Sequence, residues 1–258
     1  MDSLFSIGII IRNETNHFVF NVLHNGSYLV YYLSYCSFGD GMKVVCISDT
    51  HMEHHKIKLP YGDILIHAGD ALSWGTEKEF VSFASWFREL PHVYKIYVAG
   101  NHDKFVEFYR NEAQEMLGPD VHYLQDSLVN IEDYEIYGSP WQPVFNNWAF
   151  NLTENELRPA FDLIPPNLDI LITHSPPRFD NNVSFDRVPK GEHIGSTSLT
   201  GRLYELGIEA PLFHVFGHVH DGYGVGRYAV PHSSIVAVNA ATCNEQYEPL
   251  NPPVVLNI

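Results

Sequence analysis

From Lys43 onward the chain alternates short apolar runs with amphipathic stretches. KVVCIS (43–48), DILIHAG (63–69), YKIYVAG (94–100), DILITH (169–174) and LFHVFG (212–217) are continuous and rich in β-branched residues. Runs of this length suit strands buried on both faces. Between several of them the apolar positions recur at helical spacing: Thr76–Leu90, Lys104–Leu117, Thr153–Ile164 and Thr200–Leu206, the first opened by Thr76 and Glu79 at capping-box spacing. Shorter β-rich runs fall at Val121–Leu124, Ser127–Ile131, Glu135–Gly138 and Ser234–Ala240. The pattern predicts an α/β fold of two packed mixed β-sheets flanked by helices. No internal repeat interrupts it.

Residues 1–41 stand apart from that rhythm, with Asn, Tyr and Ser scattered among aliphatics. They read either as an N-terminal extension carrying a hairpin, with Asn25-Gly26 as its turn, or as sequence ahead of an alternative start at Met42. Both readings stay open at this point. Residues 42–258 form the predicted main domain.

Composition narrows the class. At 258 residues, with 45% hydrophobic and 18% charged positions, the chain has enough apolar sequence for one large folded domain and no tract that suggests extended disorder. The formal charge of −16 disfavours a nucleic-acid polymer as partner, although bound cations would still attract a small phosphate compound. Cys36, Cys46 and Cys243 are odd in number and widely spaced, as expected of reduced thiols in a cytoplasmic protein. No run reaches the ~20 apolar residues that would span a bilayer, so no membrane association is expected.

Chemistry concentrates where the strands end. Asp49 and His51 follow the first run, Asp70 the second, Asn101, His102 and Asp103 the third, His174 the fourth, and His218 and His220 the fifth. Ligand sites in α/β sheets form outside the carboxyl ends of strands, so five polar clusters in these places imply one shared site. Carboxylate, imidazole and amide oxygen without thiolate suit Mn, Fe, Zn or Mg in a catalytic centre. Asp70 is the natural bridge between two cations. Alternation along an extended strand would turn His218 and His220 to one face. His67 and His214, inside strands and without motif partners, read as hydrogen-bonded core residues. Trp141, Phe145, Trp148 and Phe150 form an aromatic stretch that would either fill a core or stack on a nucleobase.

The series Asp49-Thr50-His51, Gly69-Asp70, Gly100-Asn101-His102-Asp103, His174 and Gly217-His218-Val219-His220 resembles the calcineurin-like metallophosphoesterase superfamily. The segments LPYGDILIHAGD, YKIYVAGNHD, YGSPWQPVFNNWAFNL, LIPPNLDILITHSPP and HVFGHVHDGYG are similar to the animal metallophosphoesterase-domain-containing proteins, relatives of class III cyclic nucleotide phosphodiesterases. The resemblance covers about residues 42–258 and implies a metallophosphoesterase-like α/β sandwich. It implies that Asp49, His51, Asp70 and His220 hold one divalent metal and Asp70, Asn101, His174 and His218 another, with manganese favoured. It further implies hydrolysis of a small phosphodiester or nucleotide, such as a cyclic nucleotide, by a metal-bridging hydroxide. His102 would protonate the leaving oxygen, and Asp103 would orient His102.

Two rival readings accompany that one. The Ser/Thr protein phosphatases are a weaker match, because Gly69-Asp70 is followed here by Ala71-Leu72-Ser73-Trp74-Gly75 and not by their Asp-Arg-Gly sequence. A weakly active nucleotide- or metal-binding regulator on the same fold is the alternative from another class. The presence of His220 favours catalysis.

Overall fold

A computed structural model describes residues 41–178 and 185–258, together with the backbone of 17–24 and 27–34. The described backbone divides into two compact units, one of which is Lys43–Leu256. In the other, β1 (His17–His24) and β2 (Ser27–Ser34) pair antiparallel with His24 opposite Ser27, the register of a two-residue hairpin. The expected Asn25-Gly26 turn, and Cys36, lie outside the described residues.

The larger unit continues with β3 (Lys43–Ile47), β4 (Ile64–Ala68), α1 (Glu77–Glu89), β5 (Tyr94–Val98), α2 (Lys104–Phe108), α3 (Arg110–Leu117) and β6 (Val121–Tyr123). Then follow β7 (Ser127–Ile131), β8 (Tyr134–Ser139), β9 (Gln142–Pro143), β10 (Asn151–Leu152), α4 (Glu154–Phe161) and β11 (Ile170–Thr173). The chain closes with α5 (Thr197–Leu206), β12 (Phe213–Phe216), β13 (Gly224–Val230), β14 (Ser233–Asn239) and β15 (Val254–Asn257). One sheet has the order β15-β3-β4-β5-β6, with β3 to β6 parallel. The other has the order β13-β14-β12-β11-β8-β7, parallel from β14 to β8 and antiparallel at both edges.

Alternation along the strands gives each sheet two buried faces. From the first sheet Val45, Ile47, Leu65 and Tyr97 pack with Phe80, Phe83 and Phe87 of α1 and with Ala113 and Leu117 of α3. The three phenylalanines of α1 recur three and four residues apart, and burial of each contributes roughly 1.5–3 kcal/mol. From the second sheet Tyr137, Leu171, Phe216 and Ala237 pack with α4 and α5. The opposite faces, with Cys46, Ile66, Val98, Ile136, Ile172 and Val215, are equally buried. They meet where Gly138 of β8 lies against Val98 of β5, too close for a Cβ.

The predicted α/β sandwich is therefore the observed fold, with local corrections. The helix expected over Lys104–Leu117 breaks at Tyr109, whose φ of −130° and ψ of 53° are not helical. The helix expected from Thr200 begins at Thr197, because the Ser196 hydroxyl caps the Leu199 N–H. The capping boxes at Thr76/Glu79 and Thr153/Glu156 both form. Among the described residues no helix is long and apolar enough to cross a membrane.

Candidate metal centre

Every candidate ligand lies just beyond the carboxyl end of a parallel strand. Asp49 and His51 follow β3, Asp70 follows β4, Asn101 follows β5, His174 follows β11, and His218 and His220 follow β12. Both sheets point these ends the same way, and all seven side chains meet in one buried cluster. Among the described residues, Asp49, His51 and His220 offer ligand atoms within 4.8 Å of one another, as do Asp70, His174 and His218, and also His51, Asp70 and His102. The Asn101 Oδ1 completes the second group at 3.0 Å from His174 Nε2.

The turns that place these residues are tight. Asp49, His51, Asp70 and His218 have φ values of 51°, 40°, 55° and 67°, in the left-handed region that side chains seldom occupy. The neighbouring glycines are spacers: a Cβ on Gly100 would collide with the Asp70 carboxylate, and one on Gly217 with that of Asp49. His218 and His220 converge, but not by strand alternation as expected. The strand ends at Phe216, His218 turns left-handed, and His220 starts a single 3₁₀ turn.

Hydrogen bonds aim the rings inward. Nδ1 of His51 donates to the Leu72 carbonyl at 3.2 Å, Nδ1 of His174 to Ala68 at 3.0 Å and Nδ1 of His220 to Asn244 at 2.9 Å. Each bond fixes the ring and leaves Nε2 facing the cluster, the arrangement that metal-ligating histidines use. The Asp49 carboxylate accepts from the His218 N–H at 3.0 Å, and Asp70 Oδ1 from the His102 N–H at 2.7 Å.

Electrostatics follow from burial and from this crowding. Burial favours a neutral His174, but the Asp70 carboxylate 3.3 Å from Nε2 outweighs it and raises the pKa to about 9. His220 behaves alike, with burial overcome by Asp49 at 3.4 Å and the pKa again about 9. For His51 and His218 burial wins, and their pKa values fall to about 4 and about 3. Both carboxylates sit below their ordinary range despite burial, Asp49 through His220 and His174 and Asp70 through His174 and His102. His220 then donates from Nε2 to the neutral His51 Nε2, 3.1 Å away.

Protons thus occupy the positions where ligand lone pairs converge. Two buried carboxylates, four imidazoles and an amide oxygen fit a pair of divalent cations: Asp49, His51, Asp70 and His220 could hold one, and Asp70, Asn101, His174 and His218 the other.

His102 sits at the edge. Its Nδ1 donates to the Ser73 carbonyl at 2.6 Å, its face stacks on Trp148 at 4.0 Å, and His51 meets it edge-on at 4.7 Å. The expected contact from Asp103 to the His102 ring is not made. The Asp103 carboxylate instead accepts from the N–H groups of Gly100, Asp70 and Leu72 at 2.7, 3.0 and 3.0 Å, so it shapes the turn that presents Asp70. Burial, then the Asp70 charge, raises its pKa to about 6.

The aromatic stretch divides between its two readings. Phe150 joins the core with Trp141 packed against it, whereas Trp148 covers His102 and Phe145 is exposed, 6.5 Å from the His218 ring. Tyr247, which no motif marked, stands edge-on to His51 at 4.7 Å and to His220 at 5.6 Å. His67 and His214 are core residues as expected, bonded to Thr50 in the first case and to Thr173 and Tyr228 in the second.

This fold and donor set define a metallophosphoesterase. Residues 42–222 match the family described as calcineurin-like phosphoesterase, and the chain belongs to that family. Relatives named Metallophosphoesterase domain-containing protein 1, from Homo sapiens and Mus musculus, are each 39% identical over 241 residues, covering 84% of this chain and 71% of theirs. The UPF0046 protein T07D4.2 of Caenorhabditis elegans is 33% identical over 249 residues, covering 85% of this chain and 60% of its own. Family and site together point to a hydrolase that binds divalent metal.

Proposed function

We propose that the protein is a dinuclear metal-dependent phosphodiesterase acting on a small phosphodiester, with a cyclic nucleotide as the natural substrate class. The observation that carries this reading is the sharing of Asp70 by two ligand groups, Asp49–His51–His220 on one side and His174–His218 on the other. When bound, a pair of divalent cations supplies Lewis acidity toward phosphoryl oxygens and water.

The chain's own residues do the rest. Asp70 faces both halves of the centre, where its carboxylate would screen the like charge of two cations held there. His102, held at Nδ1 by Ser73, keeps Nε2 free to donate a proton to the departing oxygen. Trp148 stacks on the His102 ring, and Tyr247 stands edge-on to His51. A diester carries a single negative charge at phosphorus, so it suits a centre whose near neighbours are aromatic, with Lys104 placed over the Trp148 ring. Manganese matches the oxygen-and-imidazole donor set. A cytoplasmic setting would keep the buried free thiols of Cys46 and Cys243 reduced.

Turnover of bis(p-nitrophenyl) phosphate and of 2′,3′- and 3′,5′-cyclic nucleotides with added manganese tests the reading. The wild type is expected to hydrolyse a diester in preference to p-nitrophenyl phosphate, and His102→Ala to lose about 100-fold or more in kcat. If both proteins were inert while a nucleotide bound tightly, the regulatory reading would replace this one.

A further inference from the structure

Between β9 and β10 the chain makes an excursion, residues 144–150, that carries the ring stacked on His102. We propose that Asn151 is a positioning residue for the reaction: its carboxamide clamps this excursion in the shape that holds Trp148 flat against His102. The kinetic part of the proposal rests on the phosphodiesterase reading; the structural part does not.

The carboxamide of Asn151 uses its full capacity. Nδ2 donates toward the carbonyls of Phe145, Asn146 and Trp148 at 3.3, 3.1 and 3.0 Å. Oδ1 accepts from the Phe145 N–H at 3.1 Å and from Gln142 Nε2 at 2.9 Å. A carboxamide offers two N–H donors beside an oxygen with two lone pairs, whereas a hydroxyl has a single donor and a carboxylate has none. Aspartate would turn a carboxylate toward three carbonyl oxygens.

The far end of the excursion is pinned separately. Ala149 donates to the Asn101 carbonyl at 3.0 Å, and Phe150 to Glu107 at 2.6 Å. Removing the Asn151 amide would therefore free residues 145–148 and leave the ligand loop at Asn101 in place. Left-handed backbone at Phe150 (φ 55°), where an aromatic residue seldom adopts it, shows that the end of the excursion is held against its local preference, while Asn146 (φ 51°) is a residue type that tolerates the turn. The ring it presents lies 4.0 Å from His102 at an interplanar angle of 29°. Ser73 fixes one edge of that imidazole and His51 another, and Trp148 packs against its face at 4.0 Å, closer than Tyr247 at 6.4 Å. An outward tilt of the ring moves the proton donor, while the candidate ligand rings of His51, His174 and His220 keep their own bonds to Leu72, Ala68 and Asn244.

The test uses full-length Asn151→Ala, Asn151→Asp, Trp148→Ala and Trp148→Phe, each also combined with His102→Ala, with bis(p-nitrophenyl) phosphate and saturating manganese. The first three variants are expected to lower kcat on the order of tenfold with KM changed less than about twofold. Trp148→Phe should restore most of the rate. In the His102→Ala background none should lower the rate further, because all act through that ring. A second readout needs neither metal nor turnover. The fluorescence of Trp148, isolated by subtracting the matching Trp148→Phe protein, should be quenched by the stacked imidazole and should rise to a similar extent in His102→Ala and Asn151→Ala. Unchanged Trp148 fluorescence in Asn151→Ala, or a loss of kcat that adds to that of His102→Ala, would overturn the proposal. Were the wild type inactive on every diester, the phosphodiesterase reading would fall, and the fluorescence comparison would still decide whether Asn151 sets the stack.

Discussion

Four of the seven candidate ligands, Asp49, His51, Asp70 and His218, sit in left-handed backbone, at a cost of about 1–3 kcal/mol each. Only surrounding bonds can hold such turns, and here Asp103 supplies several of them through three backbone N–H groups of the Asp70 and Gly100 turns. The same crowding sets the proton inventory. His174 and His220 remain protonated up to about 9 in the metal-free protein, whereas a ligand imidazole must be neutral. The sign is then fixed: cations displace those protons, so binding weakens as the pH falls. Calorimetric titration with manganese between pH 6 and 8, in buffers of differing ionisation enthalpy, should show proton release and an affinity that drops about tenfold per pH unit for each proton displaced. A pH-independent affinity would contradict the protonation of these two rings in the metal-free protein.

At the scale of elements, one contact ties two helices together and yields a stability prediction. Glu154, in the first turn of α4, accepts from the Thr197 and Ser198 N–H groups at the start of α5, at 3.0 and 2.8 Å. Partial burial opposes its charge, but the Ser198 and Thr197 donors prevail and hold its pKa below the ordinary 4.5. A depressed carboxyl pKa stabilises the fold above the unfolded value and loses that contribution as pH falls through the folded one. Glu154→Ala should therefore cost about 1 kcal/mol or less in urea unfolding at pH 7, since solvent screens a group this exposed, and the gap to wild type should shrink as the pH falls below about 4.5 and through the lower folded pKa. A gap that persists there would show that packing, not charge, is what Glu154 contributes. Elements were legible where a period or a cap spoke for them: the buried strands β3, β4, β5, β11 and β12, and the box at Thr76. The break at Tyr109 was not, because Val106, Ala113 and Leu117 keep helical spacing across it. Nor was β13, where Gly224 and Gly226 lower strand propensity and pairing with β14 decides.

Taken as a whole, the molecule brings together residues as distant as Asp49 and His220 because two sheets present their parallel carboxyl ends to the same place. That convergence was readable from sequence, since each candidate ligand follows an apolar run by only a few positions. The surroundings were less so. Tyr247, the backbone role of Asp103 and the Asn151 clamp arise from loops closing on one another, which no local period encodes. The central claim is that this convergence holds two cations bridged by Asp70, and a metal count per chain tests it most directly. After incubation with manganese and removal of loosely held ions, elemental analysis should find two per chain in the wild type and at most one in Asp70→Asn. One or none in the wild type, or two retained in Asp70→Asn, would contradict it.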